Sequence, residues 1–340
     1  MVRVLLTGGS GFVATHILNV LLERGYSVVT TVRSIEKAAK IKQAHPSCGK
    51  DKLDFSIVED ISKEDAFDNA VKSNPPFDAV IHSASPFHYN VTDVQTQLID
   101  PAVVGTTGIL KSIKKGAPSV KRVVITSSFA AILDMLKGTR PGYEYSEKDW
   151  NPVTQEQALT GAGLGYTASK TFAERAAWEF VEKEKPGFTI ATMNPPLVYG
   201  PLLHQVESLD AVNTSNKRIR DFIIGPPGTE IPETGLFIWV DVRDLALAHV
   251  RALEVPEAGG KRFLVSPGYC TNRMMVDIIR KNFPEYQERL PPADAPGGDF
   301  PAEGVFTIDN SRAKNILGVE FTSFEKCVID TVKSLKALGA

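Results

Sequence analysis

Val4-Leu5-Leu6-Thr7-Gly8-Gly9-Ser10-Gly11-Phe12-Val13-Ala14 opens as an apolar run, breaks into glycines and resumes with helical spacing. The run predicts a buried strand. Val13, Ile17, Val20 and Leu21 share one side of the following helix, which Gly25 caps. A helix that starts at a glycine turn offers backbone N–H groups and a partial positive charge to a phosphate. Gly8, Gly11 and Ala14 follow a Gly-x-x-Gly-x-x-Ala spacing. Small residues at those places let the backbone approach a pyrophosphate and let the helix lie close to the strand. A lone glycine triplet often marks only a tight turn. With a strand before it and a helix after it, the reading here is a dinucleotide turn, with Gly8, Ser10, Gly11, Phe12 and Val13 as the expected contacts.

Further apolar runs at Val28–Val32, Leu53–Val58, Ala79–His82, Val120–Thr126 and Thr189–Asn194 alternate with helical stretches, including Val94–Lys114 and Tyr166–Lys183. Runs of this kind suit strands buried on both faces, and the alternation predicts α/β architecture: a Rossmann doubly wound parallel sheet with right-handed crossovers. After Asn194 the pattern loosens. Phe237–Val240 and Val242–Leu253 read as a strand and helix returning to the main domain. A strand at Phe263–Ser266 and helices near Met274–Asn282, Ser311–Leu317 and Phe324–Leu338 complete the chain. The expected division is a nucleotide domain over 1–195 and 236–256, with a smaller C-terminal substrate lobe over 196–235 and 257–340.

Composition narrows the function. The 340 residues are 43% hydrophobic and 23% charged, with a net charge of −2, an ordinary globular balance without the basic stripe of a nucleic-acid binder. No run is long enough to span a bilayer, and the chain enters a strand at once, which leaves no room for a signal peptide. Cys48, Cys270 and Cys327 show neither pairing pattern nor metal spacing, so reduced thiols and a cytoplasmic setting are expected. The six histidines carry no metal-ligand spacing. No metal, membrane or nucleic-acid partner is expected, and a monomer and a homodimer are both compatible with the sequence.

The end of the second strand selects the cofactor. A dinucleotide without a 2′-phosphate is held by an acid about 20 residues beyond the glycines. Here the strand ends Thr30-Thr31-Val32-Arg33-Ser34. Arg33 offers a planar fork to a phosphate and Lys37 a second charge, so NADP(H) is expected over NAD(H). As solvated surface cations the two would have no such role. Asp60, with Ile61 beside it, stands where a carboxylate can meet the adenine amino group; the alternative is a helix cap for Ser62–Ala70. Ala84, among small residues after the fourth strand, suits close passage of the cofactor.

Tyr166 and Lys170 are four residues apart on a predicted helix, hence on one face. A free phenol gives up its proton near pH 10, and a neighbouring ammonium favours the phenolate. Ser128, at the end of the fifth strand in Thr126-Ser127-Ser128, can donate to a carbonyl oxygen on which negative charge grows; its alternative role is a capping hydroxyl. Thr126 and Ser127 are expected to turn toward backbone or cofactor. The set Ser128, Tyr166 and Lys170 reads as hydride-transfer chemistry on a carbonyl. Phe87, Phe129, Leu133, Val198 and Tyr199 are expected around that carbonyl, which favours hydrophobic substrates.

Together, Thr7–Ala14, Arg33-Ser34, Thr126–Ala131, Tyr166–Lys170 and Asn194–Pro201 resemble the extended short-chain dehydrogenase/reductase family over nearly the whole chain. The resemblance is to its dihydroflavonol-reductase-like branch and the fungal NADPH-dependent carbonyl reductases there. It implies a Ser128/Tyr166/Lys170 catalytic set, NADPH held partly by Arg33 and Lys37, and the nicotinamide against Pro195 and Val198. Two positions depart from the plant pattern. Ala14 replaces a third glycine, and Leu133 stands where plant enzymes carry a polar residue for flavonoid hydroxyls. Reduction of aldehydes, ketones and ketoesters is therefore expected ahead of a flavonoid reaction. The competing readings are a nucleotide-sugar epimerase or dehydratase, which calls for the missing acid, and a non-catalytic NADP sensor, which has no use for the Tyr–Lys pair.

Overall fold

The computed structural model describes residues 1–85, 91–203, 206, 208–226 and 228–340. In chain order the elements are β1 (Arg3–Thr7), α1 (Phe12–Glu23), β2 (Ser27–Val32), α2 (Ile35–Ala44), β3 (Leu53–Ile57), β4 (Ala79–His82), α3 (Asp100–Gly116), β5 (Arg122–Thr126), β6 (Glu144–Tyr145), α4 (Gln155–Ala158), α5 (Ala162–Glu184), β7 (Thr189–Asn194), β8 (Leu197–Tyr199), α6 (Thr214–Ile224), β9 (Ile238–Asp241), α7 (Val242–Glu254), β10 (Lys261–Leu264), β11 (Gly268–Tyr269), α8 (Asn272–Asn282), β12 (Thr307–Ile308), α9 (Ser311–Leu317) and α10 (Phe324–Lys336).

Among the described residues, seven strands form one sheet in the order β10-β7-β5-β4-β1-β2-β3, all parallel. The order reverses direction beside β1, where a doubly wound sheet opens its ligand crevice at the carboxyl ends of the strands. The inner strands carry Val4, Leu5, Leu6, Val80, Ile81, Val123 and Val124 with no exposed surface, because helices cover both faces. Ile17, Leu18 and Leu21 of α1 and Leu245, Ala248 and Ala252 of α7 pack on one face. Ile109, Leu110 and Ile113 of α3 and Ala177 of α5 pack on the other. β3, at the sheet edge, keeps only Leu53 fully buried. A second sheet, β11-β9-β8, shares a core with α6, α8 and α10 through Trp239, Ile219, Ile279 and Val328.

Four sequence expectations are corrected. β10, assigned to the C-terminal lobe, is the edge strand of the large sheet, paired with β7. β9, assigned to the nucleotide domain, lies in the small sheet beside β8. The local pattern marks both as strands, but their neighbours depend on how the distant chain returns. The stretch expected as one helix from Val94 starts as a π-helical turn, Gln95–Ile99, and becomes α-helical at Asp100. Pro101 explains the change, since it lacks the N–H that would continue an α ladder. The helix expected over Ser62–Ala70 is a series of turns: Ala66 bonds back to Lys63 and Asp68 to Asp65. Phe67, fully buried, pins that stretch inward, and Asp68 is drawn to Ser112 on α3 at 2.7 Å.

Phe129 and Tyr199 lie within cores and not on a pocket wall. Phe129 has no exposed surface and meets Tyr145 edge-on at 5.7 Å and Phe306 at 5.8 Å. Tyr199, 3% exposed, packs toward Phe324, and burial pushes its phenol pKa up. Phe87 lies outside the described residues. Because the Phe129 ring fills core space, Phe129→Ala should cost roughly 3–5 kcal/mol of stability; urea unfolding of the variant measures it, and an unchanged midpoint would place the ring elsewhere.

Candidate active site

The site begins at the turn after β1. Gly8 has φ +79°, and a Cβ there would lie 2.9 Å from the Ala84 backbone. At Gly9 a Cβ would fall 2.0 Å from Thr30 Oγ1, so the turn is pressed between the ends of β2 and β4. Gly8 N–H donates to Thr31 Oγ1 at 3.1 Å and Gly9 N–H to the Thr31 carbonyl at 3.0 Å. The turn delivers α1 with Gly11 as N-cap, no capping side chain and no acid in the first turn. Its positive end is therefore neither bonded nor neutralised by its own side chains, which suits an anion. Phe12 and Ala14 point into the core, leaving backbone N–H groups as what Phe12 and Val13 can offer.

Arg33 and Lys37 are exposed at the end of β2 and the start of α2. Ser34 between them caps α2 by accepting from Lys37 N–H. Ser10 and Lys37 line one cavity of about 250 Å³, together with Lys40 and His45, so turn and cation face the same space. Asp60 Oδ1 accepts from Ser62 N–H at 2.9 Å and Ser62 O–H at 2.6 Å. These bonds, with the Arg33 charge among the lesser causes, hold its carboxyl below the ordinary range. The cap is thus a local turn without the expected helix. Ile61 and Ala84 line a small cavity of about 20 Å³ shared with His82, Ser85, Ser127, Lys170 and Glu174.

Thr7 Oγ1 accepts from the N–H groups of Ser83 and Ala84 and meets His82 Nδ1 at 2.9 Å. With both N–H groups donating to it, the hydroxyl gives its proton to Nδ1. Burial lowers the His82 pKa to about 3, so the ring is neutral. Thr126 behaves alike. His249 Nδ1 donates to the Leu245 carbonyl, which leaves Nε2 to accept from Thr126 O–H at 2.7 Å. Ser127 gives its hydroxyl to Glu174. Both hydroxyls, expected to face backbone or cofactor, are bound by side chains of covering helices.

Ser128 Oγ accepts from Ala130 N–H at 3.1 Å and caps the 3-10 turn Phe129–Ala131. The capping role is real, and it uses the oxygen as acceptor only, so the hydroxyl proton stays available. That turn rests on α5, where Thr171 O–H reaches the Ala130 carbonyl at 3.4 Å. From α5 comes Tyr166, half-buried. Lys170 lies one turn on, its Nζ 5.9 Å from the Tyr166 ring centre and donating to Ser85 Oγ at 2.9 Å. Burial alone lowers the Lys170 pKa to about 8, and no carboxylate among the described residues pairs with it. Pro195 accepts at its carbonyl from Phe129 N–H, and Val198, half-buried, pairs with β9. Leu133 lines a separate cavity of about 520 Å³ with Met135, Phe237, Phe300 and Phe306.

Sequence reasoning missed Gly9, whose constraint comes from Thr30 across the sheet, and Glu174, Asn194 and Arg262, which meet beneath Ser127 and Ser128. For Glu174 a signal existed: it continues the Tyr166–Lys170 spacing by one more turn.

Residues 4–266 match the model of the NAD dependent epimerase/dehydratase family, and the chain belongs to that family, the extended branch of the short-chain dehydrogenases/reductases. It is 46% identical over 336 residues to the ketoreductase azaE of Aspergillus niger, covering 98% of this chain and 97% of the relative. It is 39% identical to a putative NADPH-dependent methylglyoxal reductase of Candida albicans, covering 98% of each. Among solved structures, the yeast methylglyoxal/isovaleraldehyde reductase Gre2 complexed with NADPH matches with a TM-score of 0.92 and 37% identity over 99% of both chains. A UDP-glucose 4-epimerase of Bifidobacterium longum shares the fold alone, at 20% identity and a TM-score of 0.71.

The depressed Lys170 pKa is directly measurable. Reductive ¹³C-methylation followed by NMR should show one lysine signal titrating near pH 8, against about 10.4 for ordinary lysines. The signal should vanish in Lys170→Met. Its ammonium charge is therefore lost as pH rises through 8. A Lys170 signal titrating with the surface lysines would mean the cleft does not desolvate it.

Proposed function

We propose that the protein is an NADPH-dependent reductase of aldehydes, ketones and ketoesters, with Tyr166 as proton donor. The observation that carries this reading is Lys170, half-buried at the crevice, without a carboxylate partner among the described residues and one helical turn from Tyr166. Among the described residues its ammonium donates only to the Ser85 hydroxyl, and a desolvated cation with so little compensation is costly unless it serves a ligand.

The residues present fit a phosphorylated dinucleotide. Gly8 lets the turn close against the Ala84 backbone, where a side chain would clash, and α1 brings an uncapped N-terminus to that turn. Arg33 and Lys37 spend no side-chain hydrogen bond on any described residue, and both lie beside that turn. They would hold the 2′-phosphate; Asp60 and Ile61 would border the adenine, and Ala84, Pro195 and Val198 the rest of the cofactor. When bound, NADPH supplies the hydride. Ser128 would donate a hydrogen bond to the substrate oxygen, keeping its proton, and stabilise the charge that grows there. Tyr166 then protonates that oxygen. Lys170 favours the phenolate left behind through its charge and offers donors to ribose hydroxyls.

The range of substrates follows from what lies past Ser128. Leu133 opens onto a cavity walled by Met135, Phe237, Phe300 and Phe306. Apolar walls discriminate weakly, since a methylene is worth about 1–3 kcal/mol, so hydrophobic aldehydes, α-diketones and ketoesters are all accepted. Thr139, Glu233, Thr234 and Asp299 are the polar minority of the cavity's lining, and we read sugars as poor substrates. No helix among the described residues is long and apolar enough to cross a membrane. We read the protein as cytoplasmic, a monomer or homodimer acting on small molecules.

The deciding experiment follows NADPH oxidation with a panel of hydrophobic aldehydes, α-diketones, ketoesters, flavanonols and a UDP-sugar, using wild type and Tyr166→Phe. Simple carbonyl compounds should be the best substrates, and loss of the phenol hydroxyl should reduce turnover by about 10²–10⁴-fold with NADPH still bound. Wild-type turnover in Tyr166→Phe would remove the proton donor from this account, and a UDP-sugar turned over fastest would favour the epimerase reading. For the cofactor, Arg33→Ala should weaken NADPH by roughly 1.5–3 kcal/mol, the size of a charge-assisted bond, and leave NADH almost untouched. Equal losses in fluorescence titrations with both cofactors would show that Arg33 does not read the phosphate.

A further inference from the structure

Beneath the site lies an enclosed ion pair that the chemistry above does not use. Glu174 lies on α5 one turn beyond Lys170 and two beyond Tyr166, on the same stripe. It is 2% exposed. Its Oε1 accepts from Arg262 Nε at 2.7 Å, Thr192 O–H at 2.8 Å and, more weakly, Trp178 Nε1 at 3.3 Å. Its Oε2 accepts from Ser127 O–H and from Asn194 Nδ2 at 2.7 Å. Arg262 comes from the edge strand β10. Its remaining donors reach the carbonyls of Glu147, Asp149 and Ala131, and its guanidinium lies 3.7 Å from the centre of the Trp150 ring.

Three arms of this cluster close on Ser128. Asn194 has two amide protons: one goes to Glu174 and the other to the Ser128 carbonyl at 3.1 Å. Ser127, the preceding residue, is tied to Glu174 by its hydroxyl. Arg262 reaches the carbonyl of Ala131, at the end of the turn that Ser128 caps. The backbone on both sides of Ser128 is thus fastened to the helix that carries Tyr166 and Lys170.

We propose that Glu174 is a positioning residue for carbonyl reduction. Through Asn194 and Ser127 it sets the Ser128 backbone relative to α5, so that the Ser128 hydroxyl and the Tyr166 phenol address the same substrate oxygen. The inference rests on the proposed roles of Ser128 and Tyr166, and the test separates the two. A group that merely stabilises the fold changes how much enzyme is active. A group that sets geometry changes the rate constant of each active molecule.

The experiment measures single-turnover hydride transfer in stopped flow, where the first-order rate constant is independent of the active fraction, alongside NADPH affinity and thermal midpoint. Glu174→Gln keeps the size of the side chain but turns an amide N–H₂ toward groups that themselves donate. Its rate constant should fall by about 10- to 100-fold, the scale of a misplaced reacting group, with NADPH affinity nearly unchanged. Asn194→Ala leaves the Glu174–Arg262 bond in place and removes the amide that links Glu174 and Thr192 to the Ser128 carbonyl. It should slow hydride transfer in the same way, and it decides the matter if Glu174→Gln does not fold. Trp178→Phe removes a Glu174 contact that leads away from the serine, and its rate constant should match wild type at any thermal midpoint. A wild-type rate constant in folded Glu174→Gln or Asn194→Ala overturns the proposal. Full activity in Ser128→Ala and Tyr166→Phe would instead overturn the reading on which it rests.

Discussion

A parallel sheet must satisfy every polar group it buries at its carboxyl edge, and in this protein that requirement organises the crevice. β1 ends in Thr7, β4 in His82, β5 in Thr126 followed by Ser127, and β7 in Asn194, all buried or half-buried. Each finds a partner within the protein: Thr7 takes His82, Thr126 takes His249, and Ser127 and Asn194 take Glu174. An unpaired group at such depth costs about 1–3 kcal/mol, so the edge pairs off almost completely. What it leaves over is informative. Among the described residues the Ser128 proton, the Lys170 ammonium and the Arg33 and Lys37 side chains have capacity to spare, and the proposed function assigns them to a dinucleotide and a carbonyl compound.

Two cations of this region, Arg262 buried and Lys170 half-buried, show opposite solutions to one problem. Arg262 is enclosed together with a carboxylate, three backbone carbonyls and an indole face. Such a pair is costly to break from one side, about 3–5 kcal/mol, though it adds little net stability over an apolar replacement. Its worth therefore lies in fixing where β5, β7, β10 and α5 stand relative to one another. Among the described residues Lys170 has only the Ser85 hydroxyl, and burial lowers its pKa to about 8. On one helix, then, Glu174 is spent on geometry and Lys170 is kept reactive, and the four-residue spacing Tyr166, Lys170, Glu174 puts both on the side that faces the strand ends.

Much of the large sheet was legible because its strands are β-branched runs short enough to be strands and apolar enough to be buried twice over. β4, β7 and α9 run over the very residues the pattern indicated. The turn after β1 was legible for a chemical reason: few backbones other than a phosphate cradle pair glycines with a helix start in this way. The rest depended on partners remote in sequence. Whether residues 261–264 continue the large sheet is decided by β7, and the identity of Phe129 as core by Tyr145 and Phe306. Ser128 itself was ambiguous between capping and donating until the geometry showed that capping engages only its lone pair. Glu174 could have been read from spacing, but its charge partner, Arg262, could not.

The aromatic core beside the serine also bears on what the site can hold. Tyr145 meets Phe129 and Phe306 edge to face at 5.7 and 5.1 Å, Phe129 and Phe306 lie tilted to each other at 5.8 Å, and such packing is dense and slow to yield. The backbone of the serine turn is thus backed by rigid rings on one side and by the Glu174–Asn194 bonds on the other. Phe306 has a second role, since it also forms part of the wall of the cavity that Leu133 lines. There Met135 and Phe300 remain substantially exposed, and a methionine at such a place adapts its shape cheaply. On the proposed reading, reacting atoms held by a stiff turn and a Leu133 cavity with yielding walls would let one fixed chemistry serve carbonyl compounds of different size. Selectivity would then reside in how far a substrate fills that space, while the proton and hydride transfers keep the geometry that the strand ends and α5 impose.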